Sequence, residues 1–199
     1  MIRRPPRSTL SPSSAASDVY KRQGKNSSSE DYLNTINDKI SKLKTSTSDE
    51  ALSSIKSEAN QMKKAADAVT AIDYDKTSGD AVYSKVKDLV NTYNALAKQT
   101  GKSDLVSISQ SRTWMVNDTK AHEVQWNKIG ITIEDDQTLT IDEKKFKEAS
   151  TSDIKNFLSG ASGYASRLST KANGFYQLAS NQLTLNSGTS LYNKYGLLG

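Results

Sequence analysis

The sequence predicts a mainly α protein: a coiled-coil-like helical bundle with one β-hairpin at about residues 129–142. Three observations lead there. Apolar residues recur at alternating steps of three and four along Leu52–Val69, Val82–Leu96, Leu105–Ile129 and Tyr164–Leu178, the narrow seam of helices that pack side by side. A period of two occurs in one place, where Ile129, Ile131 and Ile133 are followed by the polar turn Glu134–Gln137 and then by Leu139 and Ile141. Hydrophobic content is 35% and mean hydropathy −0.66 over 199 residues, low for a compact globule but sufficient for narrow seams.

Taken in order, the chain opens on Met1–Gln23, which holds all three prolines and has no apolar periodicity. Its words IRRPPRSTL and SDVYKRQ resemble translated sequencing-adapter read-through. Residues 1–24 therefore read as a non-native or disordered tail, and 25–199 as the helical bundle domain, a piece of a larger protein. After the polar Gly24–Ser29, the residues Leu33, Ile36, Ile40 and Leu43 space a first helix. Thr45–Ser48 breaks it, and Thr47 with Glu50 forms a capping box for the next. That helix carries Leu52, Ile55, Ala59, Met62, Ala66 and Val69, with the two alanines allowing close approach. Beyond the Tyr74–Gly79 loop, Asp80 opens a helix that Gly101 ends. Leu105, Ile108, Arg112, Met115, Thr119, His122, Trp126 and Ile129 then space one unbroken helix of about seven turns. Joined through Thr100–Ser103, these two form an antiparallel αα-hairpin. Asp142 and Glu143 start a short helix that ends at Ala149, and Asp153–Leu158 forms another. Gly160 and Gly163 mark a turn into the last helix, which carries Tyr164, Leu168, Phe175 and Leu178. Asn186–Gly199 reads as irregular, with Leu191, Tyr192 and Tyr195 docking back.

Composition narrows the function classes. With no cysteine there are no disulfides or thiolate metal sites. No run approaches the roughly 18 apolar residues of a membrane span. The net charge of +5 sits mostly in the tail, where Arg3, Arg4, Arg7, Lys21 and Arg22 face Asp18; this leaves the remainder near +1 with mixed signs, which is not a phosphate-binding face, so no nucleic-acid partner is expected. His122 is the single histidine and reads as a packing residue on a helical seam, without a partnered nucleophile or base. Glu134, Asp135 and Asp136 lack the D-x-D-x-D-G spacing of a calcium loop and read as a solvated hairpin tip. Ser159–Gly163 is glycine-rich but lacks the Lys-Ser/Thr of a phosphate loop. The expectation is no catalytic, cofactor-binding or metal-binding residue, and no enzyme. The aromatics point elsewhere. A thin bundle cannot bury Tyr83, Tyr93, Trp114 and Trp126 together, so Tyr83, Tyr93 and Trp114 are the candidate interface and Trp126 is expected to be buried.

Three separate stretches carry a family resemblance. The first runs Ile129-Gly-Ile-Thr132, an acidic turn, Thr138-Leu-Thr-Ile-Asp142, and a short helix with Phe146 and Ala149. The second, Val86–Leu96 (VKDLVNTYNAL), is similar to an "F/L-V-x-x-Y-N-x-L" helix. The third, Ser152–Gly160 (SDIKNFLSG), is similar to a "V-x-x-L-F-x-G" segment. In this order and spacing, over roughly Asp80–Ala179, they resemble the C-terminal region of the bacterial flagellar hook-associated protein 2, or filament cap, family. The chain departs from the family in placing Gln137 where its hairpin turn usually has glycine, and in being much shorter than a full cap protein. The resemblance implies a non-enzymatic structural protein that self-associates at the filament tip and meets flagellin-like helical proteins. It would be extracellular, on the flagellum, exported without a cleaved signal peptide. The alternative is an intracellular coiled-coil adaptor or scaffold, cytoplasmic, that shares only the architecture.

Overall fold

Serine hydroxyls start both of the leading helices among the described residues. In the computed structural model, which describes residues 47–188, Ser48 Oγ accepts from the Ala51 amide (3.2 Å) and opens α1, Asp49–Thr70. Ser78 Oγ accepts from Ala81 N (3.4 Å) and opens α2, Gly79–Thr100. Both starts correct the sequence reading. Thr47 is not the cap, because its buried hydroxyl instead meets Ser103 Oγ (3.2 Å) and accepts from Asp104 N (3.1 Å), tying the start of α1 to the loop after α2. Asp80 lies inside the first turn of α2, where its carboxylate suits the helix dipole. The expected helix over Leu33–Leu43, the tail, and Leu191, Tyr192 and Tyr195 lie outside the described residues.

α1 buries the six residues its spacing selects: Leu52, Ile55, Ala59, Met62, Ala66 and Val69. The longest helix, α7 (Tyr164–Gly188), packs along it most extensively, with α2 on its other flank. α1 and α7 run antiparallel. Ser169 Oγ donates to Asp67 at one end (2.6 Å) and Asn186 Nδ2 to Asp49 at the other (2.6 Å). Ala59 and Ala66 on α1 and Ala165, Ala172 and Ala179 on α7 are all fully buried, so each helix brings small residues at seven-residue intervals to the core. α7 also runs beyond the point where the sequence reads irregular. Asn186 and Ser187 are helical, and Gln182 and Asp49 both bond Asn186.

The expected seven-turn helix is two helices, α3 (Val106–Ala121) and α4 (Glu123–Lys128), separated at His122 with φ −108° and ψ 20°. The His122 ring competes with the helix for a carbonyl. Its Nδ1 bonds Asp118 O (2.7 Å), the acceptor that His122 N–H would use in a continuing helix, and that N–H turns to Thr119 O instead (3.1 Å). The α2–α3 pair is held near its loop, where Arg112 Nε donates to Ala97 O (3.1 Å); α3 also packs against α7.

The chain is mainly α with one β-hairpin. β1 (Ile131–Ile133) pairs antiparallel with β2 (Leu139–Ile141), Ile131 opposite Ile141 and Ile133 opposite Leu139. The strands are shorter than 129–142 because Gly130 (φ +76°) turns the chain out of α4 and Asp142 already caps α5 (Glu143–Glu148), accepting from Lys145 N (3.0 Å). Gln137 N donates to Glu134 O (2.9 Å) and Glu134 N to Thr138 O (2.8 Å), while Gln137 itself has φ +71°. This is a type I turn followed by a left-handed residue, the position glycine usually takes. α6 (Thr151–Leu158) then leads to Gly163, where a Cβ would collide with the Ser159 carbonyl, so the tight entry to α7 requires glycine. No helix among the described residues is long and apolar enough to cross a membrane.

Candidate interaction surface

The three residues singled out as an interface are dispersed. Tyr93 is fully buried, which corrects the expectation that it lies at a surface. α2 turns it inward on the same stripe as Val86, Leu89 and Leu96. Burial pushes its hydroxyl above the usual tyrosine range; the Thr119 hydroxyl and then Arg112 ease the shift, although Thr119 lies outside hydrogen-bond geometry. Tyr83 is half-buried and already occupied. Its ring lies 5.8 Å from that of Phe146, with the ammonium groups of Lys87 and Lys147 each 5.6 Å from its centroid, so it fastens α5 onto α2. Trp114 alone is presented to solvent, at 56% exposure.

Trp114 has company that the sequence reading missed. Val106 and Val124 are 80% and 78% exposed. Val106, Gln110, Trp114, Asn117 and Ala121 are all exposed and fall at helical spacing on α3, opposite the buried Ile108, Met115 and Thr119. The sequence does hold the signal: counting from Val106 in steps of four, four, three and four finds this second stripe. It is apolar at both ends and carries Trp114 near its middle. Leu185 on α7 is a further exposed apolar side chain, at 63%.

Behind this stripe, on the inward side of the α3–α4 break, four rings cluster. Trp126, fully buried as expected, meets Phe157 edge-on at 4.8 Å and Tyr164 at 5.1 Å, and Phe157 stacks on Tyr164 at 5.2 Å. The His122 ring lies 5.0 Å from Tyr164 and 6.2 Å from Phe157. Tyr164 donates its hydroxyl proton to Thr119 Oγ1 (2.9 Å), and burial is the main cause that holds that hydroxyl well above its ordinary range. His122 therefore packs as the sequence predicts, but at a helix break rather than along a helix.

Much of the charge on α2, α4, α5 and α6 is engaged in internal ion pairs. Lys147 bridges Asp80 (2.8 Å) and Glu143 (2.6 Å), which raises its own pKa and lowers both carboxylates. Lys155 reaches Asp75 and Lys128 reaches Asp153, both at 2.8 Å. At the hairpin tip Asp136 accepts from both the amide and the hydroxyl of Thr138 (3.0 and 2.6 Å), which lowers its pKa. Among the described residues no group of three His, Cys, Asp or Glu side chains is arranged to hold a metal ion.

Fold and surface together define, among the described residues, a helical bundle with a β-hairpin pinned to α2 and an outward stripe that carries Trp114. Comparison with protein-family models, curated proteins and solved structures gives no match for this chain.

Proposed function

We propose that the chain is a structural, non-enzymatic protein of the flagellar filament-cap kind, acting through protein–protein contacts in filament capping and flagellin assembly. The observation that carries this reading is the meeting of two separate stretches of the resemblance. Asn94, from the Tyr93-Asn94-Ala95-Leu96 motif, bonds both backbone groups of Leu139, from the Thr138–Asp142 strand. Tyr93, Leu96, Ile129, Ile131, Leu139, Phe146 and Leu158, all from the resembling stretches, are buried in one core. Motif residues that interlock in this way have a physical reason to occur together. The partners on this reading are further copies of the chain and flagellin-like helical proteins, met through the Trp114 stripe rather than through Tyr93. The location is extracellular, on the flagellum, after export without a cleaved signal peptide.

The test is binding to monomeric flagellin and to a full-length cap protein, with sedimentation equilibrium over a wide concentration range, for the intact protein and for Trp114→Ala. Association that weakens at least tenfold in the variant is the expected result. A chain that stays monomeric and binds neither protein overturns the reading and leaves a cytoplasmic coiled-coil adaptor or scaffold in its place.

A further inference from the structure

We propose that His122 and Arg167 form an acid-released latch, in which proton uptake at His122 Nε2 frees the joint between α3 and α4 from α7. The hydrogen-bond chemistry fixes the starting state. His122 Nδ1 lies 2.7 Å from the carbonyl of Asp118, which can only accept, so Nδ1 carries the proton. His122 Nε2 lies 3.1 Å from Arg167 Nη1, which can only donate, so Nε2 presents its lone pair. The ring is thus a neutral imidazole with both nitrogens engaged, one toward α3 and one toward α7.

A proton from solvent can enter at Nε2 alone. It occupies the lone pair that receives Arg167, so the imidazolium and that hydrogen bond exclude each other, and two cations then face each other. The Asp118 carboxylate, 3.7 Å from Arg167 Nη1 and 4.0 Å from His122 Nδ1, already pairs with the guanidinium and keeps it on α3 once it has left the ring. The charged and titratable groups around the ring are Asp118 on α3, and Arg167 and Tyr164 on α7; α6 contributes the apolar ring of Phe157. Tyr164 directs its hydroxyl to Thr119 and takes no part. Because His122 is the residue at which the helix breaks, the latch acts at the joint that leads into α4, the hairpin's neighbour in the chain, whose Trp126 packs on Tyr164 of α7.

One histidine in the chain makes the test direct. Long-range proton–nitrogen NMR of the intact protein at pH 8 should show Nδ1 protonated and Nε2 bare. As the solution is acidified from pH 8, near-UV circular dichroism from the aromatic cluster should change in step with the imidazole signals. In Arg167→Gln the imidazole should still titrate while the dichroism no longer follows it. A proton on Nε2 at pH 8, a dichroism spectrum unchanged through the titration, or the same change in Arg167→Gln would each overturn the latch.

Discussion

Asn94 serves Leu139 as a strand would. Its side-chain amide donates to Leu139 O and its carbonyl accepts from Leu139 N, both at 2.8 Å. Leu139 sits opposite Ile133, and the bonds between Glu134 and Thr138 mark the neighbouring position as the hydrogen-bonded pair, so the backbone of Leu139 points away from β1. One amide on a helix thus closes the outer edge of β2 and fixes the hairpin against α2. Asn94→Ala leaves two partly buried backbone groups unpaired and should cost about 1–3 kcal/mol. Urea unfolding measures this, and hydrogen exchange at the Leu139 amide should accelerate more than at any other hairpin position.

Gln137 occupies a left-handed conformation, which costs a side-chain-bearing residue roughly 1–2 kcal/mol. Glycine removes that strain and gives back some of the gain through its freer unfolded chain. Gln137→Gly should therefore raise stability by up to about 1 kcal/mol, and Gln137→Val should lower it. Paired thermal melts decide the sign.

Gly130 presents the opposite case. With φ +76°, a Cβ there would lie 2.7 Å from the amide nitrogen of Phe146 and 2.9 Å from the carbonyl carbon of Lys145, both backbone atoms that cannot rotate aside. Gly130→Ala should cost at least about 1–3 kcal/mol through strain and detach α5 from the hairpin. Loss of the Tyr83–Phe146 contact, followed by aromatic NMR shifts, is the structural readout.

The pH profile should fall at both ends. Asp67 is lowered chiefly by hydrogen bonds from Lys63 and Ser169, both 2.6 Å long, and Asp80 and Glu143 are lowered by Lys147. Carboxylates depressed in the folded state add stability that is present above their unfolded range, near pH 4, and lost as pH falls through the folded values. In the alkaline limb, burial pushes Tyr74 up to about 12. Its neutral form is favoured by folding, so that contribution is complete below about pH 10 and fades as pH rises toward 12. Asp67→Asn should make the acid limb shallower and Tyr74→Phe the alkaline one, each leaving the other unchanged, in melting temperatures measured from pH 3 to 11; neither limb disappears, because Asp80 and Glu143 still act at low pH and the buried Tyr93 and Tyr164 at high pH.

The two tryptophans should separate cleanly. Trp126, fully buried among rings, should resist iodide quenching, and Trp126→Ala should destabilise by about 3–5 kcal/mol. Trp114 should quench readily, and Trp114→Ala should change stability by no more than about 0.5 kcal/mol.

Much of the architecture is legible because step-counting reads burial directly: the stripe of α1 matches its spacing residue for residue, and the hairpin register follows its alternation. The misses have local causes. The helix break at His122 depends on a ring nitrogen taking a carbonyl, which hydrophobic spacing does not encode. Counting aromatics against a thin bundle assigns Tyr93 outward, yet the core encloses it together with Trp126 and Tyr164. Ala165, Ala172 and Ala179 escape a count that takes only the large residues on α7. The Trp114 stripe is only partly legible, since an exposed seam and a buried one look alike until one of them finds its partner.

The bonds Asp49–Asn186 and Asp67–Ser169 also fix how the fold would bear a load. Positions 49 and 186 lie side by side at one pole, so a pull applied through the chain before α1 and after α7 acts across the pair of helices rather than along it. The contacts of the α1–α7 seam would then separate turn by turn from that pole, each bearing the tension alone. A bundle loaded in this direction yields at small force and re-closes in the reverse order, whereas the same seam pulled from opposite poles would have to shear all its turns together.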